Sequence, residues 1–332
     1  MKRLTSLILC LCLCIPLFSC GKRQKKYSET YFDFFDSFAQ ITAYEKKQSE
    51  WQEHLNIFKG AVEKYHRILD IYNSYDGIVN LYDVNNAEGE PVGVSRELFD
   101  FLTYAKDTYI LTSGYTNVCM GTVTSLWKSA IEEKTVPDSQ ELKKAAEYTD
   151  ISAIVLYEDD LTVSLTDPNL RIDAGAIGKG YAAEMIRREL AAAGCESFMI
   201  NLGGTLCAYG SKPDGEAWLG GVQTPEGAQQ QDVSVRLSGK ALSTSGSYHR
   251  GYTADDGTLY HHIIDPHTLA PKNTFLSVSV ACEDAADADA LSTALFNMTL
   301  EDGRRLVESL ENTEALWILC DGSSVQTQNF SN

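Results

Sequence analysis

The sequence predicts an α+β fold, in which mixed, largely antiparallel sheets are packed with helices. Strand-like and helix-like segments mix along the chain without a regular strand–helix–strand alternation. Several strand-like segments are also separated only by short turns, as hairpins require. No internal repeat or low-complexity linker divides the chain, so residues 30–332 are expected to fold as one large domain or two closely packed ones.

The first twenty residues, MKRLTSLILCLCLCIPLFSC, predict an export signal. A basic start followed by a short apolar run is typical of a secretory signal and is too short for a comfortable membrane span. The ending Leu17-Phe18-Ser19-Cys20 resembles a bacterial lipoprotein processing box. This implies a signal peptide over 1–19, lipidation at Cys20, a polar tether over 20–29, and a lipid anchor on the extracytoplasmic face of the cell membrane. The alternative is a cleaved secretory signal with an incidental cysteine.

Elements of the first half follow from local patterns. YFDFFDSFAQITAY (31–44) is aromatic and partly alternating, which predicts a strand. NSYDGIVNLYDVNNAEGEP (73–91) is rich in Asn, Asp and Gly and predicts an ordered loop. A helix between them is predicted by apolar residues spaced three and four apart: Phe58, Val62, Tyr65, Leu69 and Tyr72.

Capping residues and turn signals place the next elements. Ser95 predicts the N-cap of a helix through Leu98, Leu102, Ala105 and Tyr109. Another helix is expected around Leu126 and Trp127, and a short one capped by Ser139. ISAIVLYEDDLTVSLT (151–166) predicts a hairpin across a Glu-Asp-Asp turn.

In the second half, YAAEMIRRELAAAG (181–194) predicts an amphipathic helix that ends at Gly194. Residues 285–298 and 300–310 are helical in pattern, and a closing hairpin is expected over Asp321-Gly322. Four further segments predict strands: SFMINLGG, AWLGGVQT, VSVRLS and LSVSVAC.

Charge and cysteine content exclude several functions. Removing Lys2 and Arg3 with the signal takes the formal charge from −18 to −20, which argues against binding of nucleic acid or anionic lipid by charge. Five cysteines remain after Cys20, scattered and without CxxC spacing, so neither a disulfide framework nor a zinc site is indicated. The five are Cys119, Cys195, Cys207, Cys282 and Cys320.

DAGAIGKG (173–180) has the character of a loop that binds an anion. It lacks the leading glycine and the final hydroxyl residue of a Walker A loop, so it is not a P-loop. Its three glycines still allow close backbone approach, the following helix offers free N–H groups, and Lys179 could reach a phosphate. The alternative is a tight strand-to-helix turn with a solvated lysine.

YHHIIDPHTLAP (260–271) holds three of the six histidines. A strand sends His261 and His262 to opposite faces, which disfavours a metal cluster and favours one functional histidine, His262. A hydrogen-bonded structural histidine is the alternative.

DADALSTAL (287–295) combines carboxylates with hydroxyls. Asp289 shares a helical face with Ser292 and Thr293, and such oxygens suit Mg²⁺. The alternative is that these aspartates are only the acidic residues that commonly occur at a helix N-terminus.

Two further segments allow more than one interpretation. NLGGTLCAYG (201–210) suggests a bulge or close packing, and LSTSGSYHR (242–250) suits either phosphate contacts or an exposed hairpin.

In this order, these motifs resemble those of the ApbE family of FAD:protein FMN transferases. DAGAIGKGYAAE is similar to the family's D-[LA]-G-[GA]-I-[AG]-K-G-Y-A block, and NLGG, TSG, HHIIDP and DADALSTAL to its later blocks. The likeness spans about residues 30–330. Phe35-Asp36-Ser37, Thr116-Asn117 and Leu269 depart from the family pattern, which often has Met-Gly-Thr, Phe-Asp and Gly there.

The resemblance implies a set of site residues. His262 would be the catalytic histidine. The metal ligands would be Ala176 through its carbonyl, Asp289, Ser292 and Thr293. The residues that contact FAD would be Phe35, Tyr75, Tyr115, Thr116, Asn117, Asp173, Lys179, Gly203, Gly204, Thr244, Ser245, Gly246 and Ile263.

The activity implied is Mg²⁺-dependent transfer of FMN from the substrate FAD to a threonine hydroxyl of an exported acceptor, with release of AMP. The acceptors implied are exported domains of membrane redox complexes, such as Rnf-type or sodium-pumping NADH dehydrogenase subunits. Two alternatives remain: a Mg²⁺-dependent FAD pyrophosphatase that gives AMP and FMN, and a non-catalytic FAD-binding lipoprotein.

Overall fold

An eight-stranded sheet forms the centre of the protein in the computed structural model, which describes residues 24–226, 228–229, 232–248 and 250–330. The predicted signal peptide and the lipidation site Cys20 lie outside these residues. Every neighbouring pair in this sheet is antiparallel. In sheet order its strands are β1 (Lys25–Phe34), β2 (Ser37–Glu45), β6 (Phe198–Leu202), β7 (Thr205–Tyr209), β10 (Ala241–Gly246), β15 (Phe275–Cys282), β16 (Glu314–Leu319) and β17 (Ser324–Gln326).

Shorter strands form small accessory sheets. They are β3 (Val92–Gly93), β4 (Ile154–Tyr157), β5 (Thr162–Leu165), β8 (Trp218–Val222), β9 (Val233–Leu237), β11 (Gly251–Thr253), β12 (Leu259–His261), β13 (Ile264–Asp265) and β14 (Ala270–Pro271). The helices are α1 (Gln48–Ile68), α2 (Leu81–Asn85), α3 (Arg96–Leu111), α4 (Gly121–Glu133), α5 (Ser139–Ala146), α6 (Gly178–Ala192), α7 (Ala285–Asn297) and α8 (Leu300–Ser309). The α+β prediction is confirmed.

The two faces of the large sheet are covered differently. Helices α1, α6 and α7 pack on one face and bury the main core. The β8–β9 hairpin supplies Trp218 and Leu237 to a second core with Leu242 and Leu316. Because side chains alternate along a strand, β10 sends Ser243 and Ser245 toward the helices and Leu242 toward the hairpin.

Several sequence predictions are confirmed. Ser95 caps α3 by accepting a hydrogen bond from the Leu98 N–H, and the 151–166 hairpin forms as β4 and β5. Helices α7 and α8 and the closing β16–β17 hairpin also form where expected. No helix in the described part of the chain is long and apolar enough to cross a membrane.

Other predictions are wrong in detail. Segment 31–44 is not one strand, because Phe35 and Asp36 form a tight turn, with φ of 53° and 52°, between β1 and β2. Residues 25–29, assigned to the tether, belong to β1. Helix α1 ends before Leu69, since Leu69 is its C-cap.

The remaining differences concern shorter segments. The 73–91 loop contains α2, and Asp138 rather than Ser139 caps α5. Helix α6 begins at Gly178, so the last three residues of DAGAIGKG form its first turn. The exposed-hairpin alternative for residues 242–250 is wrong for its first half, because β10 lies in the middle of the large sheet.

Candidate active site

Asp289 is the most tightly held side chain of the candidate site. It lies on α7 and is only 6% exposed. Its Oδ2 accepts a hydrogen bond from the Gly180 N–H at 2.8 Å, and its Oδ1 accepts from Ser243 Oγ at 2.9 Å and Thr205 Oγ1 at 3.3 Å. Three donors from three elements therefore fix the carboxylate, and at least one lone-pair direction remains for another ligand.

Gly180 makes this arrangement possible. A Cβ at position 180 would lie 2.3 Å from the Cβ of Asp289 and 2.4 Å from the Ala285 carbonyl oxygen. Only glycine lets the first turn of α6 approach α7 closely enough for its N–H to reach the carboxylate.

Hydroxyl and carbonyl oxygens cluster beside Asp289. Ser245 Oγ lies 2.9 Å from Ser292 Oγ and 3.3 Å from Thr293 Oγ1, and Thr293 Oγ1 donates to the Ala176 carbonyl at 3.4 Å. The four residues expected to bind magnesium therefore meet at one place, between α7 and the 173–180 segment. Carboxylate, hydroxyl and carbonyl oxygens, without nitrogen or sulfur, are the donor set that suits Mg²⁺.

The side chain of Lys179, in the first turn of α6, lies against the β6–β7 turn. Gly203 and Gly204 form this turn with φ of 55° and 101°, a conformation that favours glycine. A Cβ on Gly203 would lie 3.1 Å from Cδ of Lys179 and 2.9 Å from Oγ of Ser37. The Lys179 side chain thus runs along the turn, and within the described residues its ammonium group has no hydrogen-bond or ion-pair partner.

His262 follows β12 and reaches solvent, although surrounding protein crowds its ring. Its Nδ1 lies 3.3 Å from the Arg250 carbonyl oxygen, which only accepts hydrogen bonds, so Nδ1 carries the proton and Nε2 keeps a free lone pair. Burial, together with the positive charges of Arg250 and Lys179, lowers the pKa of His262 to about 4. The ring is therefore neutral at pH 7.

The neighbouring histidines serve structural contacts. His261 is fully buried, accepts from the Ile263 N–H at 3.2 Å and reaches the Lys272 carbonyl at 3.1 Å. His267 packs its ring edge-on against Tyr115 at 4.5 Å. Among the described residues these three rings do not come together as a metal-binding group.

Asp173 and Tyr75, both expected to contact FAD, are bonded within the protein. Asp173 accepts from the Gly175 N–H at 2.8 Å and from Thr124 Oγ1 at 2.7 Å, which shapes the turn before α6. The Tyr75 hydroxyl donates to Asp70 at 2.6 Å, and burial together with this carboxylate raises the pKa of Tyr75 to about 12.

Three other expected flavin contacts lie deeper or face away. Thr116 donates to the Ala290 carbonyl at 2.8 Å and Asn117 to the Thr149 carbonyl at 2.9 Å, and both are buried. Thr244 bonds to Ser279 at 2.8 Å on the opposite face of β10 from Ser243 and Ser245.

Backbone geometry accounts for the last expected positions. Phe35 sits at the tip of the β1–β2 turn and donates its N–H to His66 at 3.3 Å. Gly246 ends β10, where a Cβ would lie 2.6 Å from the Tyr248 ring, and Ile263 is 8% exposed. Leu269, where the family usually has glycine, adopts the left-handed φ of 60° and its carbonyl accepts from Trp127 at 2.7 Å. The turn after His262 is thus kept without glycine.

Two residues of the site, Thr205 and Ser243, were not expected from the sequence. Thr205 follows the Gly203-Gly204 turn directly, and Ser243 precedes Ser245 by two positions on the same face of β10. Assigning residues 241–246 to a central strand would have placed Ser243 beside Ser245.

The chain is similar in sequence and in fold to known proteins. The ApbE family model matches residues 35–317. Two FAD:protein FMN transferases are similar in sequence. The one from Treponema pallidum is 34% identical over 252 residues, which cover 71% of this chain and 69% of the relative. The one from Klebsiella pneumoniae is 30% identical over 260 residues, which cover 77% of this chain and 79% of the relative. The crystal structure of the ApbE protein from Thermotoga maritima superposes with a TM-score of 0.82 at 25% identity, covering 93% of this chain and 100% of that one.

Proposed function

The chain belongs to the ApbE family, and we propose that it transfers FMN from FAD to a threonine hydroxyl of an exported acceptor protein in a Mg²⁺-dependent reaction that releases AMP. Its curated relatives are FAD:protein FMN transferases, and the chain is a transferase of this kind. The observation that carries the finer proposal is the meeting of Ala176, Asp289 and Thr293 beside the open Lys179 side chain.

The residues present fit a magnesium ion. Asp289 supplies a negative charge held in place by three donors, and Thr293, Ser292 and the Ala176 carbonyl supply neutral oxygens. Mg²⁺ bound to these residues would offset the charge that develops on the FAD diphosphate during transfer.

Lys179 and Arg250 supply the nearby positive charge of the chain itself. Both lie close enough to His262 to lower its pKa. The Lys179 ammonium group suits a diphosphate, whereas the Gly178 and Gly180 N–H groups at the start of α6 are already bonded to the Ala174 carbonyl and to Asp289. The negative charge of a bound diphosphate would offset these cations and raise the pKa of His262 from its value in the free protein.

His262 is proposed as the general base. Its Nε2 lone pair accepts the proton of the acceptor threonine hydroxyl, while the Nδ1 contact to Arg250 holds the ring. The threonine oxygen then bonds to the FMN phosphorus, the bond from that phosphorus to the bridging oxygen breaks, and AMP leaves. The products are an FMN phosphoester on the acceptor and free AMP.

The acceptor and the location are proposed from the family resemblance and from the N-terminal sequence. Exported domains of membrane redox complexes, of the Rnf type or the sodium-pumping NADH dehydrogenase type, are the proposed acceptors. A lipid on Cys20 would hold the enzyme at the extracytoplasmic face of the membrane beside them.

The test uses the full chain in detergent with FAD, Mg²⁺ and a candidate acceptor domain. We expect the acceptor to gain the mass of one FMN phosphoester, with one AMP released per modified acceptor. Asp289→Ala and His262→Asn should both lose transfer, whereas the control Asp287→Asn, whose side chain contacts Tyr104, should keep it. AMP with free FMN and an unmodified acceptor would identify a pyrophosphatase, and bound FAD without any AMP would identify a binding protein.

A further inference from the structure

A second group of ligand atoms lies away from the flavin site. Glu45 ends β2, His54 lies on the buried face of α1, and Cys195 lies between α6 and β6. One ligand atom from each lies within 4.8 Å of the others, and all three side chains are buried. Glu45 is eight residues along β2 from Ser37, which touches the flavin site, so the group lies roughly 25 Å from that end of the strand.

We infer that Glu45, His54 and Cys195 form a binding site for a zinc-like divalent cation. A carboxylate oxygen, an imidazole nitrogen and a thiol sulfur form the mixed donor set that Zn²⁺ accepts and that Mg²⁺ does not. The site is separate from the magnesium residues and does not depend on the proposed flavin chemistry.

The present hydrogen bonds show what the cation would replace. His54 Nδ1 lies 2.6 Å from Glu45 Oε1, and His54 Nε2 lies 3.4 Å from the Ala193 carbonyl oxygen. Because that carbonyl only accepts, Nε2 carries a proton, and a second proton must lie between Nδ1 and Glu45. Cys195 Sγ donates to the same Glu45 oxygen at 3.3 Å. The proton between Nδ1 and Glu45 and the thiol proton of Cys195 are thus the two protons at the point on which all three ligand atoms converge.

Charge is conserved when a divalent cation takes their place. Glu45, His54 and Cys195 with these two protons are neutral as a group. Once both protons leave to the buffer, the carboxylate, the neutral imidazole and the thiolate carry two negative charges, which a divalent cation balances. No net charge is buried by the exchange, so it avoids the large cost of an unpaired buried ion.

Supporting contacts for the ligands are already in place. The Ala193 carbonyl orients the His54 ring, as carbonyls commonly do for metal-binding histidines. Burial and the neighbouring Glu45 carboxylate raise the pKa of the Cys195 thiol, so its proton stays until a cation replaces it, and the Ser197 N–H then stabilises the thiolate. Ser197 Oγ is buried without a hydrogen-bond partner among the described residues and is available to a water that completes the cation shell. Ala193, whose carbonyl contacts His54, and Gly194 are both exposed, so solvent lies close to the group.

Cobalt provides the test, because Co²⁺ bound to thiolate absorbs in the near ultraviolet. The full chain is treated with a chelator and titrated with Co²⁺, and then with Zn²⁺ in buffers of different ionisation enthalpy. We expect one Co²⁺ to produce the sulfur-to-cobalt band, Zn²⁺ to abolish it, and two protons to be released for each Zn²⁺ bound.

Variants assign the band to Cys195. Cys195→Ser should lose it, whereas Cys207→Ser, which removes another buried thiol whose sulfur lies 3.6 Å from the Ala183 carbonyl oxygen, should keep it. Should Cys195→Ser not fold, Glu45→Gln must bind Co²⁺ roughly tenfold or more weakly while keeping its fold by circular dichroism. A band that survives in Cys195→Ser, an unchanged affinity in Glu45→Gln, or no band in the parent protein overturns the inference.

Discussion

Replacing Gly180 with alanine tests the close packing on which the site is built. The new Cβ would lie 2.3 Å from the Asp289 Cβ and 2.4 Å from the Ala285 carbonyl, so α6 and α7 must separate. Overpacking costs about 1–3 kcal/mol, and loss of the Gly180 N–H bond to a carboxylate costs about 1.5–3 kcal/mol. Alanine regains about 1 kcal/mol of helix propensity. We therefore expect a net loss of about 1.5–5 kcal/mol in the free energy of unfolding.

Gly178→Ala is the matched control in the same helical turn. Its Cβ would lie 3.2 Å from the Ala174 Cβ and 3.5 Å from a Leu69 methyl group, which small shifts can accommodate. Thermal unfolding of the two variants should show Gly180→Ala roughly 5–15 °C below the parent and Gly178→Ala within a few degrees of it. Magnesium titrations of AMP release should show weakened activation only in Gly180→Ala. Equal melting temperatures and equal magnesium responses for both variants would refute the packing argument.

Three further outcomes are expected. Ser243→Ala should weaken magnesium activation about tenfold, because Asp289 loses its closest side-chain donor. Thr244→Ala, on the other face of β10, should leave magnesium activation unchanged. Equal effects of the two variants in a magnesium titration would contradict this. Burial lowers the folded-state pKa of His262 to about 4, whereas its pKa in the unfolded chain is about 6.5. The unfolded chain therefore binds more protons between these two pH values. As a result, the contribution of His262 to the free energy of unfolding falls as the pH drops through this window. Urea unfolding at several pH values should show a weaker acid dependence in His262→Asn, and an unchanged dependence would argue against the shift. Lys179→Ala should raise the pKa of His262 slightly, because the Lys179 charge is the smallest of the causes that lower this pKa. The same variant should raise KM for FAD. An NMR titration in which the His262 pKa falls would contradict the proximity of Lys179 to His262.

Local sequence signals predicted much of the fold. Ser95 as an N-cap, the hairpin over 151–166 and the helix at 285–298 were predicted correctly, because capping and periodicity act over a few residues. The turn at Phe35-Asp36 was missed, because neither residue is the Gly or Asn that usually marks a turn with positive φ.

The candidate site was predictable only in part. Asp289 and Thr293 share a helical face, so their proximity follows from the sequence, whereas the contact of Thr293 with Ala176 depends on how α7 meets the start of α6. The exposed-hairpin interpretation of residues 242–250, one of the two that the sequence left open, is wrong in its first half because small hydroxyl residues suit a solvated hairpin as well as a polar inner strand. Glu45 and Cys195 are 150 positions apart, and no spacing rule brings them together.

The order of strands in the central sheet also constrains how the protein can fold. Ala43 of β2 pairs with Phe198 of β6, 155 positions further along, and β10 joins β7 only after that. Closing such a long loop costs entropy before any contact repays it, so folding is expected to be slow, as for other topologies of high contact order. A nascent chain that ends before residue 198 leaves the inner edge of β2 unpaired and lacks every hydroxyl that surrounds Asp289. The candidate site therefore cannot form on a partial chain, and the ligands proposed for it could stabilise the protein only after almost the whole polypeptide has been assembled.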